Sequence, residues 1–218
     1  MFQYPLKAKY GKVLPKTKIY ENAKPSPALR NKFVSEVNQI VWQYKLSPET
    51  INLPTGEGVL EIQIFTVTLK SRKFDLDILR CIDQVIPHPI FFEMIHDNRG
   101  KTFSAYKRPH ESIPGKWVVA DYFESAWQPL DVDRLTLPMS LNMSGLYERM
   151  LQSLMPFPAQ ARESLKDQVE RMGRIRIQQR ELLRMEKLIR KEQQFNRKVE
   201  LHGQLRKLKK DLNGLGIN

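Results

Sequence analysis

The spacing of apolar residues changes several times along the chain, and each change marks an element. Leu29, Phe33, Val37, Ile40 and Val41 recur at helical spacing, and Ser26-Pro27 supplies a cap and a first-turn proline ahead of them. The pattern therefore predicts a helix from Ser26 to about Tyr44. From Val59 to Leu69 the period shortens to two. Leu60, Ile62 and Ile64 alternate with Glu61 and Gln63, and Phe65, Val67 and Leu69 then shift to the other face, as in a strand running from half-exposed to buried. The stretch between, WQYKLSPETINLP from Trp42 to Pro54, reads as an ordered elbow held by two proline restrictions.

Farther on, Phe74 to Ile86 reads as a second helix, with Ile78, Cys81, Ile82 and Val85 on one face and Asp75 and Asp77 in its first turn. PIFFEMIH and KTFSAYKR flank the turn Asp97-Asn98-Arg99-Gly100 as a hairpin, and Trp117 to Phe123 forms a further strand after the loop PHESIPGK. Leu141 to Met155 suits a short helix, with Met139, Met143, Met150 and Met155 as pliable packing. This order predicts an α/β (α+β) body with a mixed sheet of about four or more strands, residues 1–157.

From Ala159 to Leu212 there is no proline, and Arg, Lys, Glu, Gln and Leu dominate. Leu201, Leu205, Leu208, Leu212 and Leu215 make a short heptad seam, and Leu165, Val169 and Met172 begin another that fails through Arg176 and Gln179. Residues 158–218 are thus expected to be a basic helical arm, either an interrupted coiled coil or a helical hairpin.

Charge sharpens this division. Of the net +12, the last 61 residues carry +8, from 16 Lys and Arg against 8 Asp and Glu. Such an excess points to an acidic partner. Residues Met1 to Lys24 also set Lys7, Lys9, Lys12, Lys16 and Lys18 among Phe2, Tyr4, Tyr10 and Tyr20. That mixture suits phosphate neutralisation with base stacking, but a solvated arm or a short strand with its lysines outward is the simpler reading. With Cys81 alone, no disulfide can form within the chain, and Cys81 reads as a core residue. No apolar run reaches transmembrane length and the N-terminus lacks a signal-peptide pattern, so the expected setting is cytoplasmic with no membrane.

Chemistry is sparse. His88, His96, His110 and His202 are scattered, no phosphate-cradling glycine loop or nucleophile elbow occurs, and neither a metal nor a cofactor is expected. Glu61-Ile62-Gln63, with Glu49, loosely matches the acid-x-glutamine element of restriction-type nuclease cores, although strand alternation alone explains Glu61 and Gln63. The elbow offers Trp42, Lys45, Glu49 and Asn52 as a candidate pocket.

The blocks KFVSEVNQIVWQYKLSPETINLP, VLEIQIFTVTLK, CIDQVIPHPIFFEM with SAYKR, and EKLIRKEQQFNRKVELHGQLRKLKKDL resemble an uncharacterised bacterial domain-of-unknown-function family, of the number 4391 type. The resemblance implies an α/β body with a coiled-coil-like tail, encoded near helicases and DNA methyltransferases in defence-like loci. It brings no catalytic residues. The leading expectation is an accessory, non-catalytic subunit that binds DNA or RNA, a helicase or methyltransferase partner, or both. Its contacts would be Lys7, Lys9, Lys12, Lys16 and Lys18 in front, and Arg171, Arg174, Arg176, Arg180, Arg184, Lys187, Arg190, Lys191, Arg197 and Lys198 behind. The alternatives are a metal-dependent nuclease on Glu49, Glu61 and Gln63, and a coiled-coil interaction module that self-associates through the C-terminal helix.

Overall fold

The apolar stretch after Glu36 is a strand. In the computed structural model, which describes residues 1–56, 58–113 and 117–215, helix α2 (Pro27–Glu36) stops eight residues before the expected end at Tyr44 and strand β2 (Val37–Leu46) follows directly. Ser26 caps α2 as expected, its Oγ accepting from the Leu29 amide. At the other end the Lys16 ammonium donates to the Val37 carbonyl at 2.6 Å, satisfying an acceptor where the helix leaves off. Val37, Ile40, Val41, Trp42 and Tyr44 are β-branched or aromatic, and pairing with a neighbouring strand outweighs their helical spacing.

Among the described residues the sheet has seven strands. Besides β2 these are β1 (Lys9–Val13), β3 (Ile62–Leu69), β4 (Ile90–His96), β5 (Arg99–Pro109), β6 (Trp117–Glu124) and β7 (Gln128–Pro129). The order is β1-β2-β3-β4-β5-β6, with β7 on β5, and all neighbours are antiparallel except β3 and β4. That parallel pair is joined by α4 (Asp77–Val85), which starts three residues later than Phe74. The β4–β5 hairpin turns on Asp97 and Asn98 alone, with Asp97 at φ 51°, and Arg99 and Gly100 already belong to β5. The Pro114–Lys116 part of the loop expected before β6 lies outside the described residues.

On one face of the sheet, α1 (Lys16–Ala23), α2 and α4 bury Ile19, Phe33, Ile78, Leu79, Cys81 and Ile82 against Phe65, Val67, Phe92, Met94 and Phe103. Each such large side chain contributes about 1.5–3 kcal/mol. On the other face α5 (Met143–Gln152) brings Tyr147 edge-on to Phe91; its hydroxyl donates to the Ala105 carbonyl at 2.8 Å and accepts from the Lys107 amide at 2.7 Å. Met143 and Met150 are buried there, whereas Met139 stands out at 87% exposure. The short α3 (Pro48–Ile51) forms the elbow. The Ser47 amide donates to Thr50 Oγ1 at 2.8 Å, Thr50 Oγ1 donates to the Lys45 carbonyl at 2.9 Å, and Asn52 closes the turn in the left-handed region.

Two ion pairs, each with a buried carboxyl group, fasten this body. Lys107 of β5, 1% exposed at its side chain, reaches the end of α4, donating to the Asp83 carbonyl at 2.7 Å and to the Ile86 carbonyl, with Asp83 Oδ1 at 3.3 Å. The Tyr122 hydroxyl donates to Asp83 Oδ2. On the opposite face Arg134 grips Glu93 of β4 through two bonds of 3.0 and 3.1 Å, and also donates to the Phe2 carbonyl at 2.9 Å.

Contacts divide the chain into two units, Met1–Met155 and Pro156–Asn218. The second is an antiparallel hairpin of α6 (Leu165–Lys191) and α7 (Phe195–Gly214). Gly173 and Gly203 lie inside these helices; the break falls at Glu192, whose carboxylate accepts from the Gln193 and Gln194 amides at 2.9 and 3.0 Å. Val169, Met172, Ile175 and Ile189 are buried on α6, while Leu212 is buried and Leu201, Leu205 and Leu208 half-buried on α7. Among the described residues no helix is long and apolar enough to cross a membrane.

Removing one member of the Asp83–Lys107 pair strands the other, so Lys107→Met is expected to cost about 3–5 kcal/mol in urea unfolding. Burial pushes the Asp83 carboxyl up to about 6, against the pull of Lys107 and the hydrogen bonds from Tyr122 and Lys107. The folded chain thus keeps this proton to higher pH than the unfolded chain. The Asp83 contribution is full below the ordinary carboxyl value of 3.8 and is lost as pH rises through about 6. Wild type should lose stability relative to Asp83→Asn across that window, as read by thermal melts. In β1, Gly11 sits at φ 66°, and a Cβ there would meet only Lys9 Cε at 4.0 Å, an ordinary contact, so its requirement is backbone conformation; Gly11→Val should cost about 1–2 kcal/mol.

Candidate nucleic-acid interface

On α6, Arg180, Leu183, Arg184, Lys187, Leu188 and Lys191 are spaced three, one, three, one and three residues apart, so all six share one face. They line an open groove of about 400 Å³. All four cations are exposed, as are Leu183 and Leu188, and only Arg184 has an ion pair among those described, to Glu181 at 3.5 Å. The row from Arg180 to Lys191 covers roughly 16 Å of helix at 1.5 Å per residue. Arg174, Arg190 and Lys198 are exposed on the same hairpin, Arg176 is half-buried, and Arg197 pairs with Glu192 at 3.6 Å.

Arg171 departs from the expected role. It is 4% exposed, donates to both Glu163 oxygens at 2.6 and 2.8 Å, to the Pro158 carbonyl at 2.8 Å and to the Leu215 carbonyl at 3.3 Å. Four of its five N–H groups are spent on joining the segment before α6 to the end of α7, and the side chain is buried, so it is not presented to phosphate. Its hydrogen bonds hold the Glu163 carboxyl below the usual range.

The N-terminal lysines also separate. Lys7, Lys9, Lys12 and Lys18 are exposed, Lys9 and Lys12 on edge strand β1, but Lys16 is committed to the Val37 carbonyl. The Lys12 ammonium lies 4.7 Å from the centre of the Tyr10 ring, and Tyr10 lies over Trp42 with centroids 4.4 Å apart.

The elbow gathers a different set from the expected one. Lys45 Nζ is 2.9 Å from Glu61 Oε2, Gln63 donates its amide to Glu61 Oε1, and His88 Nε2 stands 3.5 Å from that same oxygen. Hydrogen bonding and charge attraction from Glu61 raise the Lys45 pKa, while burial lowers that of His88, leaving a neutral imidazole beside an ammonium–carboxylate pair. Glu49 lies at the exposed start of α3, where Ser47 Oγ donates to it at 2.6 Å and lowers its pKa. Asn52 is the exposed cap at the other end of α3, and Trp42 stands along β2 beneath Tyr10. Lys45 is therefore the point at which the expected pocket meets the observed cluster.

This cluster can hold a carboxylate in a compensated, hydrogen-bonded state. Glu93 faces away from Gln63 on the sheet and is taken by Arg134, and among the described residues no group of three or more His, Cys, Asp or Glu side chains converges to hold a metal. Sequence reasoning missed His88 as a neighbour of Glu61, and missed Asp83, Lys107 and Arg134 entirely. The available signal was the presence of Lys107 and Glu93 at inward positions of strands, where an ionisable group needs a partner.

No curated protein and no solved structure matches the chain. A family model does, over residues 2–212, nearly the whole of both units. The chain accordingly belongs to the family described as domain of unknown function (DUF4391).

Proposed function

We propose that the protein is a non-catalytic accessory subunit that binds nucleic acid through the exposed cationic face of α6. It would work beside the helicase- or methyltransferase-type partner implied by the family resemblance. The observation that supports this most directly is the row Arg180, Arg184, Lys187 and Lys191, four exposed cations along one helix face with a single acidic partner described among them. Cations so arrayed neutralise successive phosphates with little choice of sequence, and their binding energy comes largely from counter-ion release. Leu183 and Leu188 fill the groove between them, where they can lie against sugars.

The test is binding of the full chain to labelled duplex and single strands across a salt series. Neutralising four phosphates predicts a slope of log K against log salt of about −3.6 on duplex. The triple variant Arg180→Glu, Arg184→Glu, Lys187→Glu should lower the magnitude of that slope by about 3 and abolish binding at physiological salt. Unchanged affinity in the triple variant would remove α6 as the binding surface.

A further inference from the structure

The aromatic residues of the body form a ladder that begins at the surface. Phe92 and Phe65 are fully buried with centroids 6.0 Å apart, Trp42 lies 5.9 Å from Phe65 with the rings 29° from parallel, and Tyr10 lies over Trp42. The first three rings sit on adjacent strands, so each is held by the sheet. The outermost rung needs a special arrangement. The β1–β2 register slips between Lys9 and Lys12, with Gly11 in the left-handed region, and the resulting bulge sets Tyr10 above Trp42. The Trp42 indole N–H is already satisfied by the Tyr44 carbonyl at 3.1 Å, so its orientation is fixed.

Tyr10, its ring tilted 46° to Trp42, remains 39% exposed at the outer end of this row. Beside it are two cations: Lys12, exposed and over the ring, and Lys45, which interacts electrostatically with Tyr10 and whose side chain is 39% exposed although ion-paired with Glu61. Lys12 covers the Tyr10 ring as a cation does when no better occupant is present. The combination is an aromatic face, braced from below, with positive charge along its rim.

We propose that Tyr10, backed by Trp42 and rimmed by Lys12 and Lys45, is a stacking platform for an unpaired base, so that the α/β body binds single-stranded nucleic acid. The inference deepens the nucleic-acid reading by naming the strand form, but it stands on a separate unit of the chain from α6. A base within a duplex keeps both faces stacked on its neighbours and cannot lie on Tyr10; a base in a single strand can, displacing Lys12 onto the adjoining phosphate. Because Phe65, Phe92 and Trp42 hold the platform in place, stacking needs no rearrangement of the body.

The experiment uses the full chain with labelled oligothymidylate, oligouridylate and a duplex of equal length, in wild type, Tyr10→Ala, Tyr10→Phe and the α6 triple variant. Tyr10→Ala should weaken binding to the single strands about 10-fold, Tyr10→Phe should hold near wild type, and duplex affinity should not move. The tighter of the two homopolymers identifies DNA or RNA as the strand. A second readout guards against loss of β1 in Tyr10→Ala: with Trp117→Phe and Trp127→Phe in place, Trp42 is the sole indole, and single strands but not duplex should quench its fluorescence. Equal binding of single strands by Tyr10→Ala and wild type, or no quenching of Trp42, overturns the platform. If the α6 variant loses all binding while Tyr10→Ala loses none, the platform fails and the helix reading stands. If Tyr10→Ala loses single strands while the α6 variant binds as wild type, the reverse holds.

Discussion

The body depends on one buried cation. Lys107 comes from β5, yet its ammonium ends against the last turn of α4, where the Asp83 and Ile86 carbonyls and the Asp83 carboxylate point toward it. A helix ends in unsatisfied carbonyls with partial negative charge, and α4 turns the Asp83 side of that end into the domain, with Asp83 1% exposed. The groups on that side need a partner from the protein. Lys107 is that partner, and with Tyr122 of β6 it ties the only parallel connection among the described strands to the antiparallel half of the sheet. Tyr147 approaches from the opposite face to hold the Lys107 backbone, so one residue joins both layers.

Much of this architecture is legible in the residues. The alternation of Ile62 to Leu69 and the apolar face of α4 come out where expected because each carries a strong local period, and the β4–β5 hairpin forms around a turn tighter than the expected one. Val37 to Tyr44 is the instructive exception. Leu29, Phe33, Val37 and Ile40 all point into one core, so helical spacing describes correctly which residues are inside while misnaming the backbone that puts them there. The deciding contacts, from Leu69 back to Ile62 on β3, lie beyond any local window.

The candidate sites divide in the same way. Exposed cations on α6 are legible because a 3.6-residue period places them on one face whatever the rest of the chain does. Arg171 cannot be told from its neighbours by period alone: what buries it is Glu163, eight residues earlier, and the far end of α7. Likewise Asp83 and Lys107 are 24 residues apart and Glu93 and Arg134 are 41, so the position of Lys107 or Glu93 in its strand can signal that a partner is needed but not which residue supplies it. The polar cluster at the elbow needed the register of three strands, which puts Lys45 opposite Gln63 and Gln63 beside Ile90, to bring His88 to Glu61.

The Gly11 bulge has a second effect. Strand β1 ends the sheet on its side, and a straight edge strand there would present a row of unpaired amides and carbonyls to any other extended chain. The slip between Lys9 and Lys12 interrupts that row, and exposed lysines stand on both sides of the interruption. The kink that lifts an aromatic ring into the solvent therefore also makes the edge a poor template for a second sheet. The molecule can show an apolar surface at its margin without offering the backbone on which strands would add and aggregate.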